Sequence, residues 1–180
     1  MKYQVLEMVG ISGEFPVNQL HRLIESSSYA EKIITELKNE KLIRTHYRDR
    51  LRGYRLTKHA KELLLAQNMP RFHDYLTGNT ETNLIRSELP RRIRLHQKAE
   101  IYLTLLHANI PIFYDVKPNI FSRTCEADSS FIQDLPLFYS SREIKTLGYD
   151  TTKIRNSRSV GILLSPQCVY ALYNTGNSVL

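Results

Sequence analysis

Along residues 2–68 the apolar positions recur every three to four residues, break, and over one short stretch recur every second residue. Tyr3, Val5, Leu6 and Val9 share a helical spacing that predicts a first helix ending near Gly10. Gly13–Pro16 interrupt the pattern, and Pro16 or Val17 opens a second helix whose apolar side is Val17, Leu20, Leu23 and Ile24, through about Glu25. The serine run Ser26–Ser28 offers side-chain oxygens to the orphan N–H groups of a third helix, and Glu31, three residues after Ser28, fits a capping box. Ala30, Ile33, Ile34 and Leu37 then form one apolar face. From Leu42 and Ile43 the period falls to two: a short strand, a strongly basic turn around Gly53, and Tyr54–Arg55–Leu56 as the returning strand. Thr57 is placed to cap a fourth helix, with Ala60, Leu63 and Leu64 facing the first and Pro70 marking the end.

The second half has a different rhythm. Phe72, Tyr75 and Leu76 predict a further helical stretch, and residues 78–83 (GNTETN) a loop. Pro90 to Asn109 predicts a long helix, cationic at first (Arg91, Arg92, Arg94, Lys98) and then apolar (Ile101, Tyr102, Leu105, Leu106), the kind of element that joins one unit to a second domain or a dimer partner. Ile110–Val116 reads as a strand. Leu135–Tyr139 reads as another, followed by a polar helix from Ser140 or Ser141, and Val160–Leu164 with Cys168–Tyr173 reads as a hairpin around Ser165–Pro166. Ser178–Val179–Leu180 is an apolar ending that calls for a pairing strand or a continuing chain. The expected class is α+β: a helical unit with a basic hairpin over 1–68, a connecting segment over 69–89, and a linker helix with a small α/β domain containing a β-hairpin over 90–180.

Charge changes the picture more than composition does. With 42% hydrophobic and 24% charged residues the chain can build a core, and no eighteen-residue apolar run reads as a membrane span. The opening MKYQVLEMVGIS carries Glu7 and no A-x-A site, so it does not read as a secretory signal, and a cytoplasmic location is expected. Cys125 and Cys168, outside any C-x-x-C pair, read as two reduced thiols. The net charge is +7, and between Leu42 and Lys61 seven cations stand against Asp49 alone, leaving +6 of that excess within twenty residues. A basic cluster on one hairpin suits phosphate contact with counterion release.

A capped helix followed by a cationic hairpin is the outline of a winged helix-turn-helix. The run ELKNEKLIRTHYRDRLRGYRLTKHAKELL resembles the recognition helix, wing and following helix of bacterial winged-helix regulators of the MarR and PadR type. Leu37, Leu42, Ile43, Leu56 and Thr57 match the leucine-bearing helix end, the G-L-I turn and the L-T return; Lys41 stands where that pattern has Gly, and Ala60 or Lys61 where it often has another. With Lys41 there, Asn39 is expected to supply the left-handed cap of the third helix. The resemblance spans residues 1–66. Residues 90–180 resemble the back half of replication-relaxation proteins of plasmids and conjugative elements, which join a winged helix to a nuclease-like core.

These patterns imply a double-stranded DNA-binding protein, acting in transcriptional regulation or in plasmid or mobile-element replication or transfer. The expected contacts are Ser28, Tyr29, Lys32 and Thr35 on the outer face of the third helix, with Glu36 beside them, and Arg44, Arg48, Arg50, Arg52 and Arg55 on the wing. A homodimer and the replication or transfer machinery are the expected partners. One alternative is a mobile-element nuclease, in which Glu143 of the Glu143-x-Lys145 triplet, with an acid from Asp115, Asp128 or Asp134, holds a divalent cation and Lys145 supports the attacking water. Another is a winged helix serving protein contacts only. His21, His46, His59, His73, His96 and His107 lack H-x3-H or H-E-x-x-H spacing, and no glycine-rich phosphate loop occurs, so no metal site and no cofactor is expected.

Overall fold

The computed structural model describes residues 1–77, 87–118, 136–145 and 159–174. The fold is mixed α+β and divides into two compact units, Met1–Leu103 and Thr104–Leu180. Among the described residues no helix is long and apolar enough to cross a membrane. Cys125, Asp128, Asp134, the loop expected over 78–83 and the tail 178–180 lie outside the described residues.

The first unit is built around α1 (Lys2–Ser12), buried on every side from Val5 to Ser12. It runs past Gly10 to Gly13, which takes φ 83° and donates its N–H to the Val9 carbonyl, a conformation that costs a residue without Cβ little. β1 (Phe15–Pro16) follows as an edge strand, where the missing N–H of Pro16 costs no ladder bond. The expected second helix is shorter than its apolar spacing suggests. Val17–Gln19 form a 3₁₀ turn and only Leu20–Leu23 are α-helical (α2). α3 (Ser27–Asn39) buries Ala30, Ile33, Ile34 and Leu37, as the spacing requires. Its cap is Ser26, whose Oγ accepts the Tyr29 N–H at 3.4 Å; Ser28 is inside the helix, so Glu31 has no capping role.

The end of α3 also differs from expectation. Lys41, not Asn39, takes the left-handed conformation at φ 54°. The Lys41 N–H bonds the Lys38 carbonyl and the Leu42 N–H bonds the Leu37 carbonyl, a Schellman closure with Leu37 and Leu42 both buried. β2 (Ile43–Arg48) and β3 (Leu51–Leu56) pair antiparallel from Ile43↔Leu56 to Arg48↔Leu51. The turn is therefore Asp49–Arg50, at φ 53° and 60°, and not Gly53, which lies within β3. Two positive φ values in a two-residue connection match the right-handed twist of a tight hairpin. The three-stranded sheet has the order β1-β3-β2. Thr57 caps α4 (Lys58–Gln67) by accepting the Ala60 N–H, and its hydroxyl donates to the Lys41 carbonyl at 2.7 Å, tying the hairpin base to the end of α3.

α5 (Met69–Leu76) and most of α6 (Leu89–His107) belong to this first unit, which thus extends beyond the 1–68 expected. Phe72 and Tyr75 of α5 are buried, and Arg71 pairs at 2.5 Å with the buried Glu7 of α1. α6 ends in a second Schellman closure, with Asn109 at φ 56°.

In the second unit, β4 (Leu137–Ser140), β5 (Ser159–Leu164) and β6 (Val169–Tyr173) form an antiparallel sheet in the order β4-β5-β6, with α7 (Ser141–Lys145) after β4. The 110–116 segment expected as a strand is irregular, with a 3₁₀ turn at Tyr114–Val116. Pro111, with no N–H to donate, interrupts the run that its apolar neighbours suggested. Gly161 is required by close approach: a Cβ there would lie 2.3 Å from the Tyr139 carbonyl oxygen.

Candidate nucleic-acid interface

Eight of the nine residues expected to contact DNA are exposed. Ser28, Tyr29, Lys32 and Thr35 lie on the side of α3 opposite its buried face, and Arg44, Arg48, Arg50 and Arg52 are exposed on the hairpin. Thr35 donates its hydroxyl to the Glu31 carbonyl, a bond within the helix. Glu36 pairs with Lys2 at 2.7 Å, so one of the two acids on this helix is neutralised locally, while Glu31 is exposed.

The ninth residue, Arg55, is a correction. It is buried at 7% exposure, with Nη2 2.6 Å and Nε 2.7 Å from Glu14 Oε2. Its strand, β3, is the central one of the sheet, whereas Arg44 and Arg48 stand on the edge strand β2. Arg55 shares a hairpin face with Gly53 and Leu51, and that face turns inward over Glu14. A side chain serving as the counter-charge of a buried carboxylate cannot also hold a phosphate.

The pairing register divides the remaining hairpin cations. Arg44 and Arg48 share the face of Arg55, Arg50 stands at the turn, and Arg52 sits directly opposite Tyr47 on the other face. That second face carries the Thr45–Tyr54 pair, with Lys38 of α3 5.6 Å from the Tyr54 ring. Burial raises the Tyr54 hydroxyl above its ordinary value; Arg52 opposes this and Glu31 adds to it, so both charges act at this junction of α3 and hairpin. Tyr47, exposed at 68%, is a member of this surface that the sequence reading missed. Its signal was the same alternation that places Arg52.

Beneath the hairpin lies a buried charge cluster that periodicity did not reveal. Glu14 is fully buried and accepts from three side chains: Arg55, Arg92 (Nη2 2.7 Å) and His96 (Nε2 2.8 Å). Burial by itself would raise the carboxyl, but hydrogen bonds from His96, Arg92 and Arg55 outweigh it and hold Glu14 at about 2. Arg92, also fully buried, extends Nη1 to the Arg48 carbonyl at 2.6 Å and Nη2 to the Leu51 carbonyl at 3.0 Å and the His46 carbonyl at 3.3 Å. Gly53 leaves the notch this arrangement needs, since a Cβ would stand 2.4 Å from Glu14 Oε1. Burial, together with the charges of Arg55, Arg92 and Arg44, holds the His46 imidazole below its ordinary value, so it adds no cation to the hairpin at neutral pH.

The second unit accounts for Glu143 structurally. Its Oε2 accepts the Ser140 N–H at 2.7 Å while the Ser140 Oγ accepts the Glu143 N–H at 3.3 Å, a capping box for α7. Oε1 lies 2.6 Å from Nζ of the buried Lys117, which also donates to the Phe138 carbonyl at 2.6 Å. Burial lowers the Lys117 ammonium below its usual range despite Glu143. A carboxylate 1% exposed and occupied on both oxygens has the environment of a structural ion pair rather than that of a cation ligand. Among the described residues no group of three His, Cys, Asp or Glu side chains has a metal-binding arrangement.

Comparison of the chain with protein-family models, with curated proteins and with solved structures finds no match.

Proposed function

We propose that the first unit is a winged helix-turn-helix that binds double-stranded DNA. α3 lies in the major groove, with Ser28, Tyr29, Lys32 and Thr35 toward the bases and phosphates. The β2–β3 hairpin is the wing, which lays Arg48, Arg50 and Arg52 on the flanking minor groove and backbone. The observation that carries this reading is the exposed hairpin itself: four arginines and Asp49 on ten residues of chain, directly following a helix whose outer face is open. A merely solvated hairpin gains nothing from four exposed arginines within ten residues, and phosphates laid against them would offset that concentration of positive charge. Roles in transcriptional regulation, or in replication or transfer of a plasmid or other mobile element, and action in the cytoplasm as a dimer, are part of the same proposal.

The test is fluorescence anisotropy of labelled duplexes titrated with the full chain over a range of salt. Binding that weakens steeply with salt supports the reading. Absence of binding at the lowest salt removes it and leaves the surface to protein contacts.

A further inference from the structure

We propose that Arg92 of α6 is the positioning residue of the wing, fixing the hairpin in the pose that presents Arg48, Arg50 and Arg52. The functional half rests on the duplex-binding reading above; the structural half stands without nucleic acid.

A two-stranded hairpin is marginal by itself in water. This one carries a further burden. Asp49 and Arg50 both occupy the left-handed region without glycine. β1 pairs with Tyr54 and Gly53 in the middle of β3, so the rungs nearest the turn have no third strand beside them. Arg92 supplies what the sheet lacks. Its guanidinium lies under the hairpin and reaches the carbonyls of Arg48 and Leu51, the two residues of the rung that closes the turn, and that of His46 one hydrogen-bonded rung below. Nε and Nη2 meet both oxygens of Glu14, which stands in the notch opened by Gly53. Glu14 in turn is held by Arg55 of β3 and His96, one turn along α6 from Arg92. The hairpin is thus gripped through its backbone from beneath, and Arg48, Arg50 and Arg52 stay exposed, Arg48 with its Nε 3.4 Å from Asp49. Only a planar fork of donors can reach a carboxylate and three carbonyls together; a lysine ammonium has one centre and cannot span them.

The experiment compares the full chain with its Arg92→Lys variant, which keeps the charge and loses the fork. Amide hydrogen exchange is read residue by residue, and duplex affinity as a function of salt. The expected result is exchange at residues 47–52 faster by roughly tenfold or more, with α1 and α4 changed much less, and a salt slope shallower by roughly two units, as if two wing contacts were lost. Exchange at the wing unchanged, or accelerated equally throughout the unit, overturns the positioning role. Should the variant fail to fold, the unmodified chain decides: residues 47–52 exchanging as slowly as the base of β3 supports the clamp, and a freely fraying tip overturns it. If the unmodified chain binds no duplex, the DNA reading falls while the exchange result still judges Arg92. If Arg48, Arg50 and Arg52 govern the slope and Arg92→Lys leaves it unchanged, the DNA reading stands and the clamp falls.

Discussion

Replacing Glu14 by Gln removes one negative charge from beneath the hairpin without changing its shape, and the consequence depends on pH in a way the structure dictates. The folded chain holds this carboxyl at about 2 against an ordinary 4.5. Between those values the unfolded chain binds the proton and the folded chain does not, so stability falls as pH falls through that window. A shift of this size corresponds to on the order of 3 kcal/mol, fully present above about pH 5 and dissipated toward pH 2. In Glu14→Gln the guanidiniums of Arg55 and Arg92 are left buried without their anion, which costs about 3–5 kcal/mol at neutral pH. Urea unfolding followed by circular dichroism at pH 7, 5, 4 and 3 gives the difference between the two proteins at each pH. The gap is expected to close by about 1.4 kcal/mol per unit below pH 4.5. A gap that stays constant to pH 3 would refute the assignment of Glu14 as the ionised centre of the cluster.

Other substitutions test the remaining local arguments. Lys41→Gly relieves a left-handed residue whose side chain is exposed, and should raise stability by about 1 kcal/mol in the same urea assay; a loss would contradict the Schellman closure of α3. Arg50→Gly relieves a similar strain at the turn and removes a cation, so it should stabilise the fold by about 1 kcal/mol while making the salt slope of duplex binding shallower by roughly one unit, two effects of opposite benefit from a single change. Glu143→Ala strips both the α7 cap and the counter-charge of buried Lys117, and should cost about 3–5 kcal/mol of second-unit stability by chemical denaturation; a loss below about 1 kcal/mol would reopen the carboxylate for another role.

The helices of the first unit were legible because their apolar residues had a single partner surface each. Ala30, Ile33, Ile34 and Leu37 could face only inward, and Thr57 could only cap what followed it. At Gly53, Arg55 and Arg92 the deciding interaction was distant in sequence. Gly53 suggested a turn because glycine often marks one, yet its missing side chain serves Glu14, thirty-nine positions earlier. Arg55 and Arg92 looked like surface cations because nothing local reveals which carboxylate they share. Arg92 does fall seven residues before the buried Ala99 on the inner side of α6, and an arginine on an apolar stripe is a signal that periodicity can supply. In the second unit, Ile110–Val116 looked like a strand from composition alone, and composition does not say whether a neighbouring strand exists to pair with it.

The most direct test of the central claim is the salt dependence of duplex binding by the full chain and by a variant with Arg48, Arg50 and Arg52 all changed to Ala. Each phosphate contact contributes about 0.9 to the slope of log affinity against log salt, so the variant should bind more weakly at low salt with a slope shallower by about 2.7. Equal slopes for the two proteins, or no duplex binding by the unmodified chain at low salt, would contradict the proposal that the β2–β3 hairpin is a phosphate-binding wing.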